Sequence, residues 1–198
     1  MTTIGGDREG GWRLVDIVVA AAVALAFGIV FLAWDALYAA TVPIFAFLPP
    51  AQAIMYGIWL LPGVLVGLIV RRPGAAIFGG LVSAAVSVLL GSPYGVDALI
   101  SGALQGAGAE LAFALGLYRR WTLPVAVLAG ALAGLFATAH DIPVYYRDTG
   151  ADFWIVYGVT AIVSGALVAG IGGWLLLRAL VATGVLRDFA VGREQREV

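Results

Sequence analysis

The sequence predicts an all-α fold: a bundle of six transmembrane helices with the N and C termini in the cytoplasm. Of its 198 residues, 62% are hydrophobic and 12% are charged, whereas a soluble domain carries about 25% charged residues. Several apolar runs reach the roughly 20 residues that a helix needs to cross a bilayer. All eleven basic residues are arginines. Ten of them precede the first run, lie in alternate connections, or lie at or beyond the end of the last run, which the positive-inside rule assigns to the cytoplasm.

The membrane domain is expected to cover residues 12–182, with a disordered N-terminal tail at 1–11 and a cytoplasmic C-terminal tail at 183–198 that is disordered from Arg187 onward. The first apolar run, residues 15–34, exceeds the roughly 7–15 residues of a signal-peptide core. It ends in Trp34 and not at a small-residue cleavage site. We therefore expect a first helix that the mature protein retains.

Composition excludes several kinds of function. The net charge is −1 and there is no basic stripe, so no nucleic-acid partner is expected. The chain has no cysteine, which rules out disulfides, thiolate metal sites and cysteine nucleophiles. Its one histidine, His140, has no second histidine or spaced carboxylate pair to complete a metal site. Neither a metal nor another cofactor is expected.

The six predicted spans are continuous apolar runs rich in Ala, Leu and Gly, without the alternation of a membrane-barrel strand. Each is expected to be helical, because the backbone finds no water to bond inside lipid. In chain order the spans cover residues 15–38, 51–70, 74–90, 98–118, 123–141 and 154–180. Arg71-Arg72 and Arg119-Arg120 mark two cytoplasmic connections, so the other three connections are expected to face outward.

Helix one carries a stripe of small residues, Ala20, Ala24 and Gly28, at intervals of four. Such spacing lets two helices approach each other closely. The pattern has two interpretations: packing inside this bundle, or docking of a partner membrane protein.

Helix two places Gln52, Tyr56, Trp59 and Gly63 on one side of a helix, at positions i, i+4, i+7 and i+11. Lipid does not favour an amide and a phenol, so we expect this face to point into the bundle. It serves either interhelical packing or ligand contact. Pro62 beside it can kink the helix.

Helix four holds Glu110 near its middle, where an ionised side chain costs about 2.5–3.5 kcal/mol on insertion scales. Gly102 and Gly106 precede it at four-residue spacing and form a bare face against which a ligand could press, and Gln105 lies one turn nearer the outside. Because charges inside a membrane mark function, we predict that Glu110 binds a ligand. The alternative is a buried carboxylate bonded to a neighbouring helix.

Polar and aromatic side chains converge at the outer ends of the predicted helices. They are Trp34, Asp35, His140, Asp141, Tyr146, Trp154 and Tyr157. Aromatic faces together with carboxylates suit a flat cationic ligand, through stacking and cation–π attraction. Single aromatics at this level also form an interface belt, and a lone histidine is more often a structural residue than a ligand.

An ordered set of segments resembles the YkoE family, the substrate-binding S components of energy-coupling factor (ECF) transporters. The segments are WRLVDI at 12–17, QAIMYGIWLLPG at 52–63, RPGAA at 72–76, QGAGAEL at 105–111 and YRRW at 118–121. The resemblance extends from about Trp12 to Leu180.

The resemblance implies a non-catalytic subunit of the bacterial cytoplasmic membrane that captures thiamine or its hydroxymethylpyrimidine moiety. It also implies a transmembrane coupling subunit, and cytoplasmic ATP-binding subunits that hydrolyse ATP for the complex. In S components the small-residue face of the first helix docks the coupling subunit. The resemblance therefore favours docking as the role of Ala20, Ala24 and Gly28.

In the expected substrate site, Glu110 accepts charge-assisted hydrogen bonds from the aminopyrimidine and Gln105 orients it. His140 and Asp141 serve the outer gate or the hydroxyethyl tail. The connection that contains Ser92 and Tyr94 acts as a lid. The other expected substrate contacts are Trp34, Gln52, Tyr56, Trp59, Tyr146, Trp154 and Tyr157.

Other functions compete with this one. The chain could be an S component for another small cationic or heterocyclic vitamin, or a proton-coupled carrier that uses Glu110, Asp141 and His140 as a relay. The sequence has no evident inverted repeat, which disfavours a carrier. An intramembrane serine enzyme is disfavoured because His140 lies at the membrane rim and no GxSxG turn is present. A scaffold without a ligand is disfavoured by Glu110. Dependence of uptake on co-expressed ATP-binding subunits separates the S component from the carrier.

Overall fold

A computed structural model describes residues 11–187 and residue 189 of the chain. Within this part the structure is helical, with no β-strand. The α-helices are α1 (Leu14–Thr41), α2 (Gly57–Val70), α3 (Ala75–Leu89), α4 (Asp97–Leu115), α5 (Leu123–Tyr145), α6 (Ala151–Ser164) and α7 (Gly173–Ala182). A 3-10 helix, Pro49–Met55, precedes α2, and a π-helical segment, Gly165–Gly172, joins α6 to α7.

Six crossings of the membrane follow from these helices in the described part of the chain. Five apolar helical stretches are long enough to span a bilayer; the last is the continuous unit Ala151–Ala182. The remaining crossing is α3, the third in chain order. It has only 15 residues, which corresponds to roughly 22 Å of helix against a hydrocarbon core of about 30 Å. It packs against α1, α2 and α4. The predicted all-α membrane bundle is confirmed.

The two ends of the bundle differ in what they contain. Trp12, Ala182 and the two connections with paired arginines lie at one end, which we call the terminal end. The 3-10 helix and the connections 90–96 and 146–150 lie at the opposite end, which we call the loop end. The cytoplasmic location of the terminal end stays a prediction from the arginine pattern.

The second crossing departs from the continuous helix that the sequence predicts. Pro49 and Pro50 begin it, and proline has no backbone N–H to donate to an α-helical hydrogen bond. The segment therefore starts as a 3-10 helix. This change of pitch turns Gln52 toward α1, where its Nε2 donates to Tyr38 O at 2.7 Å and to Thr41 Oγ1 at 3.1 Å.

The small residues of α1 face inward. Ala20 and Ala24 are buried, and a Cβ atom added to Gly28 would lie 2.5 Å from Val86 Cβ of α3. Ala20, Ala24 and Gly28 are therefore packed inside the bundle, with Gly28 against α3, and do not form the exposed face that the docking prediction requires. The neighbouring small residues Ala22 and Ala26 are exposed instead.

We expect Gly28→Leu to lower the free energy of unfolding by about 3 kcal/mol or more, because overpacking a filled interface forces backbone shifts. The matched change Ala26→Leu lies on the exposed face of α1, and should alter stability by about 0.5 kcal/mol or less. Thermal unfolding midpoints of both variants in the same detergent measure the difference. Equal midpoints would contradict the inward orientation of the stripe.

Part of the expected C-terminal tail is packed against the bundle. Leu186 and Phe189 are both buried, and the guanidinium carbon of Arg13 lies 5.9 Å from the centre of the Phe189 ring. The prediction of a disordered tail from Arg187 onward is therefore wrong at Phe189. Residues 1–10, 188 and 190–198, which include most of both predicted tails, lie outside the described residues.

Candidate ligand-binding site

A cavity of about 340 Å³ opens near the loop end, between the helices of the bundle. Its volume lies within the range of roughly 300–1,000 Å³ that small-molecule sites occupy. Within the described residues, eight aromatic side chains line it: Phe31, Tyr38, Tyr56, Trp59, Tyr94, Tyr145, Tyr146 and Tyr157. Three carboxylates also line it, Asp35 from α1, Asp97 from α4 and Asp141 from α5. The described part of the chain contributes no arginine to its wall.

Asp141 is the most heavily hydrogen-bonded of the three carboxylates. Tyr157 donates to its Oδ2 at 2.6 Å, and Tyr56 donates to the same oxygen. His140 Nδ1 lies 2.9 Å from its Oδ1. Asp141 is only 2% exposed, so these contacts replace the water that would otherwise solvate its charge. The site thus holds an ionisable group in a fixed orientation at the cavity wall.

Asp35 on α1 is held by two other elements. Trp59 Nε1 donates to its Oδ1 at 3.0 Å, and Ser92 Oγ donates to its Oδ2 at 3.0 Å. Ser92 belongs to the connection 90–96, so this bond ties that connection to α1 across the cavity. The sequence prediction placed Ser92 and Tyr94 in a lid, and both line the cavity.

The aromatic wall is arranged around Trp59. The rings of Tyr38, Tyr56 and Tyr94 meet it edge to face, with centroids 5.1, 5.2 and 6.2 Å away. Such contacts fix ring orientations and are favourable beyond the area they bury. Burial, together with the nearby Asp35 carboxylate, raises the pKa of Tyr94 to about 12. Tyr94 therefore remains a neutral hydrogen-bond donor at neutral pH.

α4 supplies a polar stripe to the cavity, formed by Asp97, Ser101 and Gln105 at intervals of four. Gln105 Nε2 donates to Ser101 Oγ at 2.7 Å. Beside the stripe, α3 and α4 approach so closely that a Cβ atom on Gly102 would lie 2.7 Å from Gly80 O. The glycines thus allow the helices to meet where the cavity begins.

Glu110, which the sequence predicts to bind a ligand, lies away from this cavity, near the terminal end, and does not line it. Its Oε1 accepts hydrogen bonds from Gly74 N at 2.7 Å and from Tyr118 Oη at 2.8 Å, and its Oε2 accepts one from Ala76 N at 2.9 Å. The first backbone amides of a helix have no partner within that helix and carry partial positive charge. Glu110 satisfies those of α3. These contacts match the alternative interpretation, a carboxylate bonded to a neighbouring helix.

Tyr118 lies in the connection after α4, where it follows Leu117. Both residues have positive φ angles, 53° for Leu117 and 52° for Tyr118, a region that residues other than glycine rarely adopt. Burial and the hydrogen bond to Glu110 raise the pKa of Tyr118 to about 12. Its hydroxyl thus stays protonated and able to donate to Glu110, which helps to hold this strained turn.

Four other predicted contacts lie behind the cavity wall rather than in it. Trp34 Nε1 donates to Met55 O at 3.0 Å, which ties α1 to the 3-10 helix. Trp154 Nε1 donates to Tyr146 O at 3.0 Å. Gln52 bonds α1 as described above, and His140 lies between two carboxylates. These side chains position the elements that carry the lining residues.

Other predicted residues do line the cavity: Gln105, Tyr56, Trp59, Asp141, Tyr146 and Tyr157. The lining also includes residues to which the sequence analysis gave no role: Phe31, Tyr38, Asp97 and Tyr145. Helical spacing is the signal that could have found them. Phe31, Asp35 and Tyr38 follow each other at i, i+4 and i+7 on α1, and the stripe that begins at Asp97 has intervals of four.

A ligand-sized polar and aromatic cavity inside a bundle of membrane-spanning helices is the arrangement of a membrane protein that binds a small molecule. Residues 15–136 match the family described as the ABC-type cobalt transport system, permease component. The putative HMP/thiamine permease protein YkoE of Bacillus subtilis (strain 168) is 32% identical over 187 residues, which cover 94% of this chain and 93% of that protein. A crystal structure of an S-component of an ECF transporter superposes with a TM-score of 0.89 at 31% identity, and covers 94% of each chain.

The chain belongs to the YkoE family of ECF transporter S components and is a multi-pass protein of the cytoplasmic membrane. The description of the matching family names cobalt. Within the described residues, however, no group of three or more His, Cys, Asp or Glu side chains is arranged to hold a metal ion.

Proposed function

We propose that this S component captures thiamine, or its hydroxymethylpyrimidine moiety, in the cavity at the loop end. The observation that carries the proposal is the composition of the cavity wall. The described residues that line it include three carboxylates and eight aromatic side chains, and none of these lining residues is an arginine. The thiazolium ring of thiamine is a flat organic cation, which aromatic faces and carboxylates attract. The name of the Bacillus relative, which cites HMP and thiamine, agrees with this chemistry.

The aminopyrimidine half of the substrate has its own partner in the proposal. Because Gln105 Nε2 donates to Ser101, its Oε1 is left as an acceptor, and no described residue donates a hydrogen bond to it. An exocyclic amino group carries the donor that this oxygen lacks. Gln105 lines the cavity, so this oxygen favours a ligand with an amine over one without.

The connection 90–96 serves as the lid in this proposal. Gly91 and Gly95 have positive φ angles of 98° and 56°, which glycine adopts without strain. Ser92 and Tyr94 between them reach Asp35 and Trp59. Substrate entry requires these contacts to open, and their return closes the ligand in.

Energy for transport comes, in the proposal, from partner subunits. The family implies a transmembrane coupling subunit and cytoplasmic ATP-binding subunits. The outward face of α1 is available for such a contact. Only 22% of the apolar 18-residue stretch of α1 is buried within the chain, compared with 72% of the corresponding stretch of the second crossing. The partners themselves, and the part of α1 they contact, belong to the proposal.

Titration with thiamine tests the function directly. We expect saturable quenching of tryptophan fluorescence in lipid nanodiscs, because Trp59 lies in the cavity wall and a stacked cationic ring quenches indole emission. Trp59→Phe should remove most of the signal, whereas Trp174→Phe, on α7 outside the cavity, should preserve it. Calorimetry with thiamine and with hydroxymethylpyrimidine then gives the two affinities. Absence of heat and of quenching for both compounds would overturn the proposal.

A further inference from the structure

His140 lies behind the cavity wall and touches two of its three carboxylates. Its Nδ1 is 2.9 Å from Asp141 Oδ1 on the same helix, and its Nε2 is 3.3 Å from Asp97 Oδ1 on α4. The histidine side chain is only 7% exposed and does not line the cavity, whereas both aspartates do. It therefore acts on a ligand through its two neighbours.

The Oδ2 atoms of the two aspartates accept hydrogen bonds from tyrosine hydroxyls. Tyr145 of α5 donates to Asp97 Oδ2, and Tyr56 and Tyr157 donate to Asp141 Oδ2. These hydroxyls come from α5, from the junction before α2, and from α6. They are neutral donors, so they orient the carboxylates without cancelling their charge. Among the described residues that contact these two carboxylates, the histidine ring is the one that can carry a positive charge.

The two ring nitrogens have different chemistry unless the ring is protonated. A neutral imidazole carries one N–H group and one lone pair, whereas an imidazolium donates from both nitrogens. Here each nitrogen faces a carboxylate oxygen. A neutral ring would turn a lone pair toward one of these anions. A protonated ring can therefore donate to both carboxylates, whereas a neutral ring can donate to only one of them.

We infer that His140 is a positioning residue whose proton is released when a cationic ligand binds, and that it thereby sets how strongly the cavity distinguishes charged from uncharged rings. Protonation of the ring adds one positive charge beside Asp97 and Asp141, and its loss makes this side of the cavity more negative by one charge. A ligand cation in the cavity takes over the role of the lost proton beside Asp97 and Asp141.

The inference rests on the proposed function and makes a distinct prediction about pH. Histidine is the side chain whose charge ordinarily changes between about pH 5 and 8. If binding releases a proton, thiamine affinity rises with pH, by at most about tenfold per pH unit for one linked proton. Hydroxymethylpyrimidine carries no permanent charge. Its affinity should change by about twofold or less over the same range, because it does not displace the proton.

The experiment is calorimetry of the whole chain in nanodiscs between about pH 6 and 8. Thiamine and hydroxymethylpyrimidine are titrated into wild type and into His140→Gln, and wild type is measured in two buffers of different ionisation enthalpy. We expect proton release and a rising affinity for thiamine in wild type, with no slope for hydroxymethylpyrimidine. In His140→Gln the slope for thiamine should vanish.

The outcomes distinguish a failure of the proposed function from a failure of the proposed role of His140. Failure of both ligands to bind at every pH overturns the proposed function. Thiamine binding without proton release, or equal slopes for the two ligands, leaves the function standing and overturns the role of His140. Because proton release is measured in wild type, the result holds even if His140→Gln fails to fold.

Discussion

Replacement of Asp141 by asparagine is expected to weaken thiamine binding by about 100-fold, which corresponds to about 2.7 kcal/mol. Tyr56, Tyr157 and His140 all contact this carboxylate. Asparagine has one acceptor oxygen instead of two and adds an amide that faces existing donors. A hydrogen bond to a charged group contributes about 1.5–3 kcal/mol, so loss of the charge and rearrangement of the two phenols account for the effect.

Asp148→Asn provides the matched control, since its side chain is 91% exposed in the connection after α5. The same change of charge there should leave thiamine affinity within about twofold, because exposed charges are screened by solvent. Calorimetry on both variants, after unfolding midpoints confirm that each is folded, measures the difference. Equal affinities for Asp141→Asn and wild type would remove Asp141 from the site.

Replacement of Glu110 by alanine is expected to lower the free energy of unfolding by about 3 kcal/mol while thiamine affinity stays within about twofold. The change leaves the backbone amides of Gly74 and Ala76 without their acceptor, and each buried donor without a partner costs about 1–3 kcal/mol. It also releases Tyr118 from the turn with positive φ angles. Unfolding in detergent mixtures with rising SDS fraction measures the loss of stability.

Tyr118→Phe separates the contributions to this effect. It removes one donor to Glu110 and keeps both bonds from the backbone of α3, so a loss of about 1 kcal/mol is expected. If Glu110→Ala instead abolished thiamine binding without changing stability, the structural role of this carboxylate would be refuted. The ligand role that the sequence predicts would then have to be restored.

The membrane topology was accessible from the sequence because the bilayer imposes a one-dimensional rule. A run such as residues 123–141 must be helical and must cross, since lipid offers its backbone no hydrogen bonds. The helices begin and end within a few residues of the predicted bounds. The 3-10 helix at Pro49–Met55 was missed, although Pro49 and Pro50 were its signal. Because of that local change of pitch, the predicted orientation of Gln52 differs from the one in the structure, where it bonds α1.

The site was only partly accessible. A carboxylate in an apolar helix shows that a polar partner exists, but it does not show which one. Glu110 illustrates this, because its partners are the backbone amides of α3, and backbone groups leave no trace in the sequence. The stripe of Ala20, Ala24 and Gly28 has the same ambiguity. It signals a close helix contact, and only the position of α3 shows that this contact is internal.

Hydropathy, arginine placement and the ordered segments that resemble the YkoE family were sufficient to recognise a six-helix S component, because these are properties of the chain read in one dimension. Which polar faces share the cavity depended on the rotation of each helix about its own axis, and packing against neighbouring helices sets that rotation. The three carboxylates of the cavity come from three helices: Asp35, Asp97 and Asp141. No local sequence pattern predicts that they lie close together. Their meeting is a consequence of how α1, α4 and α5 pack.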